Sequence, residues 1–467
     1  MIQALKMKRA FWYWFFHIVV GTIRFLWHCV LSFKYGGKGK VVSPVTNPLL
    51  LKSATKLAQE IREGKLKSAE VVQAYIDRIL EVEPLINATG DRCFENAIAK
   101  AKEVDSLIAS GSFSREYLSK EKPLLGVPFS IKLIFKAKGG EGALIAAGGS
   151  VLGIGNDLLG SVRFPAHLTG IFSHKPTRGL VPNEGCFPPE SPGKIPDSSY
   201  SKIYKHVSTG PMCRYAEDLI ISMKILSSKS GITLNVDEKI NFRKIKVCYL
   251  KEIRSPTAPP VHKDISNALE RAVSYFENRY NLKAQEIKMP CLYDANKCVM
   301  NILLQCVTNV KEIFLGGTDL GFSEKLDFLK ALIGKSVLCF SSLVIFNLTY
   351  FPLWYKKDRT AYYQDMLEDW TAEFDKLLDE NTVLLMPTSP IVAPYNSEVI
   401  LAFPGMCYTS IFNVLGLPAT HCPMGFTKQG LPYGIQIVGR ANNDALTIAC
   451  AVELERAFGG WKSPGEI

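Results

Sequence analysis

A chain of 467 residues with 47% hydrophobic and 21% charged side chains can bury a large core, which excludes an intrinsically disordered protein. The net charge of +11 comes from Lys and Arg scattered among acids, with no basic stripe and no nucleic-acid-binding module, so no nucleic-acid partner is expected. Twelve cysteines form no C-x-x-C pair and no Cys/His set with zinc spacing; buried thiols in a reducing compartment are expected, and no metal.

In chain order, residues 11–33 (FWYWFFHIVVGTIRFLWHCVLSF) form the first element, an apolar stretch long enough to span a bilayer. Lys6, Lys8 and Arg9 precede it, Lys34, Lys38 and Lys40 follow, and Trp12, Tyr13 and Trp14 stand where interfacial aromatics belong. A cleaved signal peptide is the competing reading; the bulky aromatic composition and the lack of an A-x-A site argue against it. Arg24 would cost about 2.5–3.5 kcal/mol at the centre of a span, unless it snorkels or the helix lies in the interface. Basic residues balance across the segment and leave its orientation open.

A Gly/Lys/Pro linker near residues 36–48 follows. Helices are expected over 53–63, ending at Gly64; from Ser68 as N-cap to near Pro84, with Val72, Tyr75, Ile76, Ile79 and Leu80 on one face; and over 93–108. Short apolar runs at 125–131, 245–249, 383–386 and 434–438 read as buried strands, and helical patterns at 261–280 and 360–378 fall between them. Strands alternating with helices imply an α/β fold with a mostly parallel or mixed sheet covered by helices. A second apolar run at 336–354 reads either as a core helix or as a surface element dipping into one leaflet. The sequons at Asn87 and Asn347 arise too often by chance to assign a compartment.

The chemistry concentrates between Lys138 and Pro182, KGGEGALIAAGGSVLGIGNDLLGSVRFPAHLTGIFSHKPTRGLVP. Dense glycine frees backbone N–H groups to face a ligand. Neither G-x-x-x-x-G-K-[ST] nor G-x-S-x-G is present, which excludes a phosphate loop and an α/β-hydrolase elbow. Ser161 follows Gly160 and reads either as a helix-capping serine or as a nucleophile on a tight turn. His167 and His174 stand in no triad order with it and read as structural. A serine without histidine can use a neutral, desolvated lysine as base. Lys132 qualifies, because it ends the apolar run PLLGVPFSI.

The segment D-x-x-G-S-V-R-x-P-A resembles the amidase signature family. So do LLGVPFSIK, GIFSHKPTRGLVP, TGPMCRYAEDL, LLMPTSPIVAP and NVLGLPATHCPMGFTKQGLPYGIQIVG, in that order from about residue 45 to the end. With the N-terminal apolar segment, the resemblance is to the fatty-acid amide hydrolase branch. It implies a mixed central sheet with helices on both faces, an N-terminal membrane helix over residues 1–45 with its linker, and an amidase domain over 46–467. It implies hydrolysis of a lipid amide through an acyl-enzyme ester at an intracellular membrane, without a cofactor, and allows a homodimer. Ser161 matches the nucleophile and Lys132 the ultimate base. The backbone N–H groups of Leu158, Leu159, Gly160 and Ser161 match the oxyanion hole.

Three departures stand out. The family's proton-shuttling serine corresponds to Ala137, and the several dozen residues the family places between lysine and shuttle shrink here to the interval between Lys132 and Gly139. Leu159 stands where the family has glycine, so a positive φ there would strain it by roughly 1–3 kcal/mol. The departures also fit a chain that keeps the fold without the reaction, a skipped-exon product or a faulty gene model. A soluble amidotransferase subunit is a third reading, which the N-terminal segment opposes.

Overall fold

The structure is a computed structural model. It describes residues 2–36, 39, 41–132, 140–183, 203–232, 234–236, 239–306, 359–395, 398 and 403–465, and the single positions 327, 330, 336 and 343. Ala137 and nearly all of the apolar run 336–354 lie outside the described residues.

Nine described strands form one sheet. They are β1 (Ser130–Ile131), β2 (Leu152–Asp157), β3 (Phe172–Lys175), β4 (Ser208–Cys213), β5 (Lys246–Tyr249), β6 (Gln285–Glu286), β7 (Thr382–Pro387), β8 (Ala419–Phe426) and β9 (Pro432–Val438). Their spatial order is β1-β2-β4-β3-β8-β9-β7-β5-β6. The β1–β2, β5–β6 and β5–β7 pairs are parallel; the others are antiparallel. The sheet is therefore mixed, as expected.

Strand β7 shows why helices must cover both faces. Val383 and Leu385 pack into one apolar cluster, and Leu384 and Met386 into another. Side chains alternate across a strand, so a run apolar at every position needs a core on each side. The order of the helices used below is α1 (Ile2–Tyr35), α2 (Ala54–Arg62), α3 (Ser68–Ile86), α4 (Phe94–Ser110), α5 (Gly140–Ala146), α6 (Arg163–Thr169), α7 (Lys263–Tyr280), α8 (Ala295–Gln305), α9 (Thr360–Leu377), α10 (Cys407–Leu415) and α11 (Asp444–Phe458). Helices α2, α3, α7 and α11 supply the first cluster; α8, α9 and α10 supply the second.

Local rules hold with two exceptions. Ser53 caps α2 by accepting from the Lys56 N–H at 3.1 Å. Ser68 does not cap α3. It is the first helical residue, its Oγ donates to Gly126 O at 2.8 Å, and Asp105 accepts from the Ser68 and Ala69 N–H groups. A carboxylate from a neighbouring helix thus takes the cap's work. Helix α3 also runs two residues past Pro84 and closes on Asn87 with φ +46°, the left-handed position that favours asparagine. Of the apolar run 125–131, only Ser130 and Ile131 pair as strand.

Candidate active site

The site begins at the end of β2. Every second residue of LGIGND faces the same side, and on one side those residues are Gly153 and Gly155. A Cβ at Gly155 would sit 3.1 Å from Lys132 Cδ, and one at Gly153 would collide with the Glu141 carboxyl. The two glycines leave room for an amine and a carboxyl to lie across the strand.

Lys132 extends the β1–β2 pairing by one residue, its N–H donating to Ile154 O at 2.9 Å. Its Nζ donates to Ser161 O at 3.0 Å and to Asn156 O at 3.3 Å. Burial lowers its pKa, against the charges of Asp157 and Glu141, which raise it. A neutral amine has two N–H bonds and one lone pair. With two carbonyls accepting, the lone pair stays free for a proton.

Beyond β2 the chain turns tightly through Leu158–Val162 into α6. Asp157 holds that turn. It accepts from the Gly160 N–H at 2.8 Å and the Val162 N–H at 3.3 Å, and it pairs with Arg163 through two contacts of 3.0 Å. All of these groups are buried. Burial alone would raise the Asp157 pKa; Arg163, Lys175 and Asn413 outweigh it and hold the carboxyl well below the usual carboxylate range. Arg163 is completed by Asn413 Oδ1 at 2.8 Å and Gln436 Oε1 at 3.1 Å, and Asn413 returns a bond to Asp157 O at 2.7 Å. Such a satisfied buried network specifies one geometry.

Gly160 has φ +111°, and a Cβ there would collide with the Thr409 hydroxyl. That hydroxyl donates to Leu159 O at 2.7 Å, fixing the turn from α10. The non-glycine residues with positive φ among those described are Asn87, Asn281 and Asn442, so Leu159 carries no left-handed strain. Of the four N–H groups expected to line an oxyanion hole, that of Gly160 is engaged by Asp157. Those of Leu158, Leu159 and Ser161 have no acceptor among the described residues. The Ser161 hydroxyl also has no hydrogen-bond partner there.

Lys132 and Ser161 are thus brought together, through the serine's carbonyl rather than its hydroxyl. Ser130 does not join them: its Oγ donates to Glu141 and lies 2.6 Å from Ser150 Oγ. Burial pushes the Glu141 pKa up to about 7. The histidines are structural. His167 is buried with Nε2 2.8 Å from Ile391 O, and burial pushes its pKa down to about 4. His174 lies 3.0 Å from the buried Asp444. Sequence reasoning gave Asp157, Arg163 and Asn413 no role, although the first two were visible in D-x-x-G-S-V-R. Thr409 and Gln436 carried no signal, because their partners lie far away in sequence, and Glu141 lay in no motif that marked it.

Known proteins share this architecture and sequence. The amidase family profile, described as "Amidase", matches residues 137–448. Fatty-acid amide hydrolase 2-A of Danio rerio is 32% identical over 496 residues, covering 91% of this chain and 92% of the relative. Fatty-acid amide hydrolase 2 of Homo sapiens is 30% identical, covering 92% and 93%. A solved structure titled "Fatty acid amide hydrolase" superposes with a TM-score of 0.64 at 18% identity, covering 88% of this chain and 86% of its own. The chain belongs to the amidase family, hydrolases that act on amide bonds.

Proposed function

We propose that this protein hydrolyses fatty-acid amides at a membrane, with Ser161 as nucleophile and Lys132 as base. The observation that carries the reading is the buried Lys132 amine 3.0 Å from the backbone of Ser161, on a turn whose neighbouring N–H groups point to no acceptor among the described residues. The names of the relatives, fatty-acid amide hydrolase 2-A and fatty-acid amide hydrolase 2, support the substrate class.

The Ser161 Oγ attacks the amide carbon and its proton passes to the Lys132 amine. Negative charge gathers on the carbonyl oxygen, where the N–H groups of Leu158, Leu159 and Ser161 stabilise it. The protonated lysine returns the proton to the leaving nitrogen as the C–N bond breaks. Water then cleaves the Ser161 ester to release the fatty acid. With alanine at position 137, water is the bridge between the amine and the hydroxyl. The residues 1–45 serve as anchor and linker, and 46–467 as the amidase domain, shortened between Lys132 and Gly139. Helix α1 is long and apolar enough over Tyr13–Tyr35 to reach the hydrocarbon where such amides dissolve.

Labelling with a fluorophosphonate probe tests the reaction: wild type should label, Ser161→Ala should not, and an unlabelled folded wild type would remove the catalytic claim. A fold-only chain is the second reading. It is favoured by Ala137 and by an alignment of 496 residues against a chain of 467, which leaves the relative with residues that have no counterpart here. Sequencing the transcript across Phe135–Gly139 separates the two.

A further inference from the structure

Helix α1 has two unlike faces. Among the described side chains, Tyr13, His17, Val20, Arg24, Leu31 and Ser32 are its less exposed positions; the first five are spaced by four, three, four and seven residues, which places them on one side. Trp14, Ile18, Phe25, Leu26, Val30 and Phe33 are exposed on the other.

The polar side meets the body at two places. Tyr13 lies within electrostatic reach of Glu252 and Arg254. One hydrogen-bonded turn beyond Arg24, His28 Nδ1 sits 3.2 Å from Glu398, a carboxylate only 5% exposed. Arg24 lies within electrostatic reach of that same carboxylate. The rings of His28 and Tyr35 lie 5.2 and 6.3 Å from that of Tyr395. From Tyr13 to His28 the helix covers about 22 Å at its standard rise, so it follows the surface instead of projecting from it. The first contact region is also tied to the reaction centre. The Ile253 N–H donates to the Tyr408 hydroxyl at 2.9 Å, and the next residue, Thr409, holds Leu159 O.

We propose that α1 stays docked on the body and lies within one membrane leaflet, with its outward apolar face in the acyl chains, His28 bonded to Glu398 and Arg24 within that carboxylate's electrostatic reach, rather than leaving the body to cross the bilayer. A crossing would put His17, Arg24 and His28 into hydrocarbon and strip a nearly buried Glu398 of its His28 hydrogen bond and of the nearby Arg24 charge, costs that docking avoids. Docking leaves the large apolar side chains outward, rimmed by Lys34 and aromatic residues, as in interfacial helices. The inference rests on the membrane association proposed above.

Topology is the test. The full chain, tagged at both ends, is expressed in cells, and sealed microsomes are treated with protease. Both tags should share one fate, digested together or spared together until detergent is added. One tag digested and the other protected would overturn the inference. Recovery of the chain in the soluble fraction would instead remove the membrane reading, a distinguishable failure. In the variant Arg24→Leu/His28→Leu the helix loses its clip and becomes a better span, so the N-terminal tag should move to the opposite side. Tags that stay on one side in this variant would overturn the role given to Arg24 and His28.

Discussion

The two halves of the candidate site are built differently. The Ser161 turn is gripped from four elements: Asp157 at the end of β2, Arg163 on α6, Asn413 on α10 and Gln436 on β9 form one buried hydrogen-bonded network, and Thr409 on α10 separately bonds Leu159 O. The Lys132 side hangs on β1, a two-residue strand at the sheet edge that pairs only with β2 among the described strands. Its neighbours Phe129 and Ile131 are 60% and 65% exposed. Apolar side chains left bare at an edge strand are what a shortened connection after Lys132 would produce. The Ser161 half is therefore preorganised by the core, and the Lys132 half depends on one strand pair and on the stretch that follows it.

The largest effect should come from the gripped half. Ser161→Ala should lower hydrolysis by on the order of 10⁶, as loss of a serine nucleophile does elsewhere, with the melting curve unchanged. Turnover surviving in that variant would end the comparison. The next test repairs the hanging half. Ala137→Ser restores a hydroxyl at the shuttle position and should raise kcat/KM by about 10²–10⁴, the usual worth of a placed proton-transfer group. No gain would mean that the interval after Lys132, not the missing hydroxyl, sets the rate.

Arg163→Met measures how firmly the turn is held. It leaves Asp157 buried without its partner and should destabilise the fold by about 3–5 kcal/mol, read from urea unfolding. A shift under 1 kcal/mol would show that the turn does not depend on the pair. The smallest effects are pH shifts. Lys132 must be neutral to work, so kcat/KM should rise with pH through its lowered pKa and then level off. Glu141→Gln removes a charge that raises that pKa, so the rising limb should move to lower pH. Glu141 itself binds its proton more tightly folded than unfolded. Its stabilisation is complete below its ordinary value of 4.5 and is lost as pH climbs through about 7. The Gln variant should lose that pH dependence in thermal melts.

The legible parts of the sequence were those governed by neighbours along the chain. The apolar runs at 245–249, 383–386 and 434–438 became β5, β7 and β9 within two residues, because strands buried largely on both faces read as near-continuous apolar runs. Strand β2 was unreadable for the opposite reason. LGIGND has the glycine content of a loop, and its glycines are there to admit Lys132 and Glu141, a cause that lies in other elements. Ser68 looked like a cap and was displaced by Asp105, which only tertiary packing brings near. The stretch around Ser161 disclosed Asp157 and Arg163 without disclosing that they bind each other, since their pairing requires the turn already folded.

By itself the sequence determined the α/β class, the family motifs and their order, the apolar N-terminal helix, and the pairing of a serine with a lysine as the chemistry on offer. These follow from local periodicity and residue type. Only the tertiary structure decided that Lys132 reaches the backbone of Ser161, that Asp157 takes one N–H from the expected oxyanion set, that Leu159 is unstrained, and that His28 meets Glu398. The first and last are contacts between segments distant along the chain, and the turn from Asp157 to Ser161 takes its shape from distant partners such as Thr409 and Asn413; burial with its demand for hydrogen-bond partners selects among them only once the sheet has closed around them.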